Sequence, residues 1–346
     1  MNDPIRVAVL GCGTITRSEH LPAIMRNPQA RLVALIDANE DRAAKLIRTY
    51  SLKCRACSDY RTILGEVDAV INALPNHLHA PVTLELIAAG VHVLCEKPLA
   101  IRSEDARACA AAAEGKKIVL AVGMNRRFQD NHQLLRAVLD EGTLGLLKGY
   151  DWQMGGPFDW NSASGFYFSK EQAGGGVLLD YGVHLLDSLI SWFGPVTGIK
   201  YEDDDWGSGI ESNARLSLQH NGSYGPITGT VRLSRTYPLS NRLLVQGMNA
   251  QAELPIDAPD AVILHHQLQD RKVTDRLEFA DSGKPGSSSF DRQLNNFVRS
   301  IQQLETPRVG AREAAYVLEL IEGCYSHRER LPEPWSDVGA MAGDLA

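Results

Sequence analysis

Short apolar runs alternate with helix-length segments over the first third of the chain. Ile5–Leu10 is apolar and ends in glycines, and residues 31–37 (RLVALID) are apolar and end in an acid. A brief continuous apolar run bounded by turn residues is the pattern of a strand buried on both faces, as in a parallel sheet. A helix-length stretch through His20 and Met25 separates these two runs, and helical 41–50 and 80–89 flank strand-like 68–74. Residues 91–95 and 118–124 add two strands around an Ala-rich helix, 103–114, for which Ser103 is the expected N-cap. Strand and helix by turns predict a doubly wound parallel α/β sheet over residues 1–124.

Beyond Met124 the pattern changes. A helix over 129–140 leads to a strand over 146–154, then to a loop rich in Gly, Ser and aromatics, and then to a helical segment over 174–187. From 196 to 279 strand-length runs alternate with turn signals, among them Asn221-Gly222, which predicts a hairpin. Apolar residues at helical spacing return over 290–304 and 312–328. These features predict a second, α+β domain over 125–346 with a large, mostly antiparallel, open-faced sheet, whose terminal helix can pack back on the first domain. Residues 281–289 (DSGKPGSSS) read as a loop.

At 346 residues the chain is long enough for two cores. The net charge of −7 and the lack of any basic run argue against nucleic-acid binding. The acidic run 202–205 reads as a solvated loop. Six cysteines at 12, 54, 57, 95, 109 and 324 are scattered, several within apolar runs, as in a reduced, cytoplasmic protein. Cys54 and Cys57 form a lone CxxC in a short strand, so neither a metal site nor a disulfide is expected there. No basic stretch followed by a long apolar one opens the chain, and no window is long enough to span a membrane.

Chemistry gathers at the ends of the predicted strands, where open α/β sheets bind ligands. Residues 11–16, GCGTIT, follow the first strand and open a helix. Gly11 permits the tight turn and Gly13 a close approach of backbone to pyrophosphate, which meets free N–H groups at the helix start. Thr16 stands where a third glycine is common, so helix and strand are expected to pack slightly apart. Asp37, at the end of the second strand, can accept hydrogen bonds from ribose hydroxyls and would repel a 2′-phosphate, which favours NAD over NADP. Pro75-Asn76-His77-Leu78-His79 and Glu96-Lys97-Pro98 end two further strands. In 174–187, helical spacing stacks Asp180, His184 and Asp187 on one face, the layout either of a proton-transfer site or of an ordinary ion pair or cap.

With these motifs the chain resembles the glucose-fructose oxidoreductase, inositol dehydrogenase and MocA family. The resemblance rests on GCGTIT with Asp37, ALPNHLH at 73–79, CEKP at 95–98, GMNRRF at 123–128 and GGGVLLDYGVHLLD at 174–187. It implies a Rossmann domain and an α+β domain whose sheet often builds a homodimer or homotetramer, with NAD between the domains. It implies that Lys97, Asp180 and His184 are the catalytic set and that Lys97-Pro98 is often cis. Gly11, Gly13, Thr14, Ile15, Asp37, Pro75, Asn76, His79, Glu96 and Asn125 would line the cofactor, and Arg127 would meet substrate. Asp159 and Trp160, in the aromatic loop 157–168, add the flat apolar and polar mixture of a carbohydrate site.

The expected reaction moves a hydride between nicotinamide and a secondary alcohol or ketone of a sugar, cyclitol or nucleotide-sugar. His184 would carry the proton, Lys97 would hydrogen-bond the oxygen, and Asp180 would orient both, the first two roles being exchangeable. The same residues would also serve a redox-neutral epimerase or glycoside-cleaving enzyme, whereas a non-catalytic sensor on this fold would not need them. Titration with both dinucleotides is expected to show tighter binding of NAD(H); NADP(H) tighter by about tenfold or more would overturn the reading of Asp37.

Overall fold

The computed structural model describes residues 3–158, 165–205, 207–268, 271–282, 284 and 286–332. The apolar runs of the first third become β1 (Ile5–Leu10), β2 (Ala30–Ile36), β3 (Arg55–Cys57), β4 (Ala69–Asn72), β5 (His92–Cys95) and β6 (Leu120–Val122). They form one parallel sheet in the order β3-β2-β1-β4-β5-β6. Between them run α1 (Leu21–Arg26), entered through a π-helical turn at Thr16–His20, then α2 (Glu40–Tyr50), α3 (Asn76–Ala88) and α4 (Ser103–Lys116). Successive side chains of a strand face opposite ways. Accordingly Val7 and Val9 join Leu21, Ile24 and Leu46 in one core, while Ala8 and Leu10 join Leu86, Val93 and Cys109 in the other.

The chain then forms α5 (Asp130–Asp140), β7 (Leu147–Gly155), α6 (Lys170–Ala173) and α7 (Val183–Phe193), the last entered through a second π-turn at Leu178–Gly182. Seven strands follow: β8 (Val196–Asp203), β9 (Asn213–Gly222), β10 (Gly225–Ser234), β11 (Arg242–Gly247), β12 (Ala250–Pro255), β13 (Ala261–Leu268) and β14 (Arg271–Glu278). After them come α8 (Ser289–Ile301), α9 (Ala311–Ser326) and β15 (Glu329–Arg330). The second sheet is ordered β14-β13-β12-β11-β7-β10-β9-β8-β15, antiparallel except where β7 meets β10 and β8 meets β15. Along β9, buried Leu216 and Leu218 alternate with exposed Ser217 and Gln219, so one face is covered and the other is open.

Both late helices return to the first sheet. Leu294, Phe297 and Val298 of α8 lie in the core of Val7 and Val9. From α9, the Glu322 carboxylate accepts the backbone N–H of Ser103 at 2.7 Å and its hydroxyl as well. Ser103 is therefore not the N-cap of α4: Arg102 occupies that position, and Glu322 satisfies the first free N–H of the helix.

Three other expectations change. The hairpin joins β9 to β10, but Gly222 pairs with Gly225, so the turn lies at Ser223-Tyr224 and not at Asn221-Gly222. Packing decides it, because a Cβ on Gly222 would lie 2.3 Å from the Phe193 carbonyl, so the glycine serves a close approach. The acidic run 202–205 is not solvated, since Glu202 pairs with Arg215 at 2.7 Å, Asp205 pairs with Arg328, and Asp204 accepts the Ser212 and Asn213 N–H groups at 2.9 Å. Thr16 does more than separate helix from strand: it is buried, and its hydroxyl donates to the Gly11 carbonyl at 2.6 Å. Truncating Phe297, fully buried where α8 meets the first sheet, is expected to cost about 3–5 kcal/mol, read as a lowered midpoint in urea unfolding of Phe297→Ala.

Candidate active site

The strand order reverses between β1 and β4, and their carboxyl ends open the crevice in which such sheets take ligands. Gly11 leaves β1 with φ +90°, and a Cβ there would lie 2.3 Å from the Ala73 carbonyl, so only glycine passes this close to the exit of β4. A Cβ on Gly13 would meet nothing within 4 Å. Gly13 thus leaves open space at the helix start that carries Thr14 and Ile15, which suits a pyrophosphate. Asp37 closes the turn from β2: Oδ2 accepts the Cys12 N–H at 3.0 Å and Oδ1 the Asn39 N–H at 2.9 Å. A carboxylate has about four acceptor positions, so ribose hydroxyls can still be met. Arg42 lies 3.7 Å from Asp37. The residues present fit a dinucleotide.

The exits of β4 and β5 are tied together by His79. It is buried, with Nδ1 2.6 Å from the Pro98 carbonyl and Nε2 2.6 Å from that of Leu74. Burial pushes its pKa down although both carbonyls oppose the shift. A neutral imidazole has one N–H, so His79 donates to one of these carbonyls and packs against the other, shaping the crevice wall. Pro75 caps α3, and Asn76 donates to the Ala173 carbonyl at 2.9 Å, linking the crevice to α6. Glu96 lies 2.9 Å from His20 Nε2. Burial alone would raise the Glu96 pKa, but His20 and Lys97 outweigh it and hold it below the usual value. Gly123 lets β6 pass, since a Cβ there would lie 2.9 Å from Glu96 Oε2. The Lys97-Pro98 bond is cis.

Lys97 reaches across to the turn before α7. Its ammonium donates to Asp180 Oδ1 at 2.7 Å and to the Asp180 carbonyl at 3.0 Å. Asp180 Oδ2 accepts from Arg235 at 2.8 Å, and that guanidinium lies over the rings of Phe158 and Tyr181. Burial works against both charges, yet Asp180, with Tyr167 and Glu96, keeps the Lys97 pKa raised. Lys97 and Arg235 likewise keep Asp180 lowered. Lys97 and Arg235 thus share the Asp180 carboxylate, with Glu96 as a second acid near Lys97. His184 is held well below its ordinary pKa by burial and then by the charges of Lys97 and Arg126, so the imidazole is neutral.

The acids of 174–187 take partners other than His184. The π-turn at Leu178–Gly182 widens the helix just where Asp180 sits, which changes the phase between Asp180 and His184. Both Asp180 oxygens are engaged elsewhere, and Asp187 takes Arg127 in a bidentate pair at 2.8 and 3.0 Å. Neither acid orients His184, whose Nδ1 is buried without a partner. Asn125 opens a short 3-10 turn, Asn125–Phe128, beside these groups. Asp159 and Trp160 lie outside the described residues.

Sequence reasoning missed Arg235, His20 and Glu211. The first two flank motif residues only in space, and no spacing signals them. Glu211 is fully buried; its carboxylate accepts the Gly176 N–H at 3.0 Å, the Leu178 N–H at 2.8 Å and the Tyr325 hydroxyl at 2.9 Å. A Cβ on Gly176 would lie 2.0 Å from the Glu211 carbonyl. The run of three glycines therefore lets Glu211 cap the helix that carries Asp180 and His184.

The family described as oxidoreductase family, NAD-binding Rossmann fold matches residues 5–124, and the GFO/IDH/MocA C-terminal domain matches residues 132–253. Levoglucosan dehydrogenase of Pseudarthrobacter phenanthrenivorans is 32% identical over 50% of this chain and 45% of its own. D-glucoside 3-dehydrogenase of Escherichia coli is 32% identical over 55% of this chain and 54% of its own. The chain thus spans about half the length of these curated relatives. A solved levoglucosan dehydrogenase in complex with NADH and levoglucosan superposes with a TM-score of 0.82 at 20% identity, covering 94% of this chain and 97% of that one, which shows the shared fold.

Burial pushes the Glu211 pKa up to about 7 against its hydrogen-bond donors. Between the ordinary carboxylate value and about 7 the folded state then holds a proton that the unfolded state has released, so this group's contribution to stability falls as pH rises through that window. Thermal melts of the protein and of Glu211→Gln are expected to show their difference in midpoint shrinking from pH 5 to pH 7, about two pH units; a pH-independent difference would reject the assignment.

Proposed function

This chain belongs to the GFO/IDH/MocA family of oxidoreductases, and on that footing we propose that it is an NAD(H)-dependent enzyme acting on the secondary alcohol or ketone of a sugar, cyclitol or nucleotide-sugar. The observation that carries this reading is the Lys97–Asp180–Arg235 cluster beside neutral His184, set where the exits of β4 and β5 meet α7. Bound nicotinamide supplies the carbon that takes or gives the hydride. Gly13 and the helix start hold its pyrophosphate, and Asp37 its ribose.

Lys97 donates a hydrogen bond to the substrate oxygen, and its ammonium charge favours that oxygen as it becomes an alkoxide. Asp180 keeps the ammonium charged and aimed, while Arg235 keeps Asp180 ionised. His184, neutral at the outset, takes the hydroxyl proton in oxidation and returns it in reduction. Its depressed basicity makes the protonated form a strong acid, ready to hand the proton on.

Lys97→Ala and His184→Ala are each expected to lower turnover by about a hundredfold or more, with NADH binding, followed by cofactor fluorescence, nearly intact. The assays would pair NAD with levoglucosan, glucosides and inositols. A mild loss in both variants would remove these residues from the reaction.

A further inference from the structure

The two acids near Lys97 are held in different ways. Asp180 is shared between the Lys97 ammonium and Arg235, whereas Glu96 is gripped by an imidazole and a backbone N–H. His20 Nε2 lies 2.9 Å from Glu96 Oε1, which as a carboxylate oxygen accepts, and the Lys97 N–H donates to Oε2 at 3.2 Å. His20 closes the π-turn Thr16–His20, which directly follows Gly13, Thr14 and Ile15. It is buried, with its ring edge-to-face against Phe290 of α8 at 5.3 Å. The backbone leaving β6 closes on the same carboxylate, since a Cβ on Gly123 would lie 2.9 Å from Oε2. Burial would raise the Glu96 pKa, yet His20 and Lys97 hold it below the usual value, so a fixed negative charge stands at the exit of β5.

The strand order gives that charge a target. Asp37 ends β2 and the glycine turn ends β1, so a dinucleotide with its adenosine ribose at Asp37 and its pyrophosphate over Gly13 runs on across the exits of β4 and β5. Two strand spacings, about 10 Å, separate β1 from β5, within the reach of a ribose and a nicotinamide ring. The oxidised ring carries one positive charge and the reduced ring none. A fixed carboxylate therefore tells the two apart by Coulomb attraction alone. Even across about 10 Å, at an effective permittivity of about 20, one unit charge changes a binding constant by about tenfold. Lys97 and Arg235 are cations and Asp180 and Glu96 are acids, so removing the Glu96 charge leaves this group positive beside a cationic ring.

We propose that Glu96, positioned by His20, selects the oxidised dinucleotide over the reduced one, so that the enzyme runs as a dehydrogenase of the alcohol rather than as a reductase of the ketone. The substrate carbon gives its hydride to the nicotinamide and the hydroxyl gives its proton to His184, so the alcohol is oxidised to the ketone as NAD is reduced to NADH. Weaker binding of NADH lets the reduced dinucleotide leave. The inference rests on the reading of the crevice as a dinucleotide site, and not on which alcohol is the substrate.

The test is titration of the full chain with NAD, followed by calorimetry, and with NADH, followed by its fluorescence, at one neutral pH and without substrate. Glu96→Gln, which keeps the shape of the side chain, is expected to raise the ratio of the NAD to the NADH dissociation constant by about tenfold or more, through weaker NAD binding. His20→Phe is expected to raise the ratio by about threefold or more, and His20→Gln, which keeps a donor, to leave it within about twofold of the unaltered chain. An unchanged ratio in Glu96→Gln would overturn the proposal. Equal weakening of both forms would do so too, because a merely structural residue acts on both alike. A shift with Glu96→Gln but none with His20→Phe would overturn the positioning role of His20. Should Glu96→Gln fail to fold, the two His20 variants carry the test, and the same ratio in both would count against the pair. If the unaltered chain binds neither dinucleotide, the oxidoreductase reading itself fails; if it binds both with a ratio that ignores Glu96, only this inference does.

Discussion

The contact on which the rest of the site depends is the ion pair between Lys97 and Asp180. It joins the end of the parallel sheet to the turn that opens α7, and both partners are largely withdrawn from water. Two charges taken from water are stable only if their geometry is good and their remaining hydrogen-bonding capacity is filled. Here the backbone carbonyl of Asp180 takes a second Lys97 bond, and Arg235 takes the other carboxylate oxygen. Losing one partner would leave a buried charge exposed to the full desolvation penalty, so the two halves of the chain are held to one relative position.

Much of the surrounding structure serves to aim that pair. His79 bridges the loops after β4 and β5 through the carbonyls of Leu74 and Pro98, which fixes the peptide next to Lys97. On the other side Glu211 grips the first free N–H groups of the helix that bears Asp180, and the glycines before it let the backbone come close enough. Each anchor is a buried polar group whose partners come from distant parts of the chain. Each therefore costs stability if broken, and each removes freedom from a reacting side chain.

The arginines of the site show how much the partner decides. Arg126 and Arg127 are neighbours in one short turn with the same chemistry, yet Arg127 pairs with Asp187 and Arg126 has no carboxylate partner among the described residues. Arg127 is thereby held against α7, and Arg126 lies near enough to His184 to lower its pKa. The resemblance had pointed to Arg127 as the residue that meets substrate. The identity of the residues could not distinguish them, because which of two adjacent side chains faces an acid depends on the phase of a helix packed from elsewhere.

Local pattern alone determined the doubly wound sheet, the glycine turn after β1, the placement of Asp37 and Lys97 at strand ends, and the helix bearing Asp180 and His184. These follow from periodicity, turn chemistry and chain direction, which are properties of neighbouring residues. The tertiary structure decided the rest: the Ser223-Tyr224 turn forced by packing against Phe193, the pairing of the acidic run with Arg215 and Arg328, the capping of α4 by Glu322, and the roles of Arg235 and Glu211. It also gave both acids of that segment cationic partners, Lys97 and Arg235 for Asp180 and Arg127 for Asp187. Such outcomes depend on which distant groups share a buried, low-dielectric space, where an unpaired charge must find a partner, and no spacing within the chain encodes which partner that is.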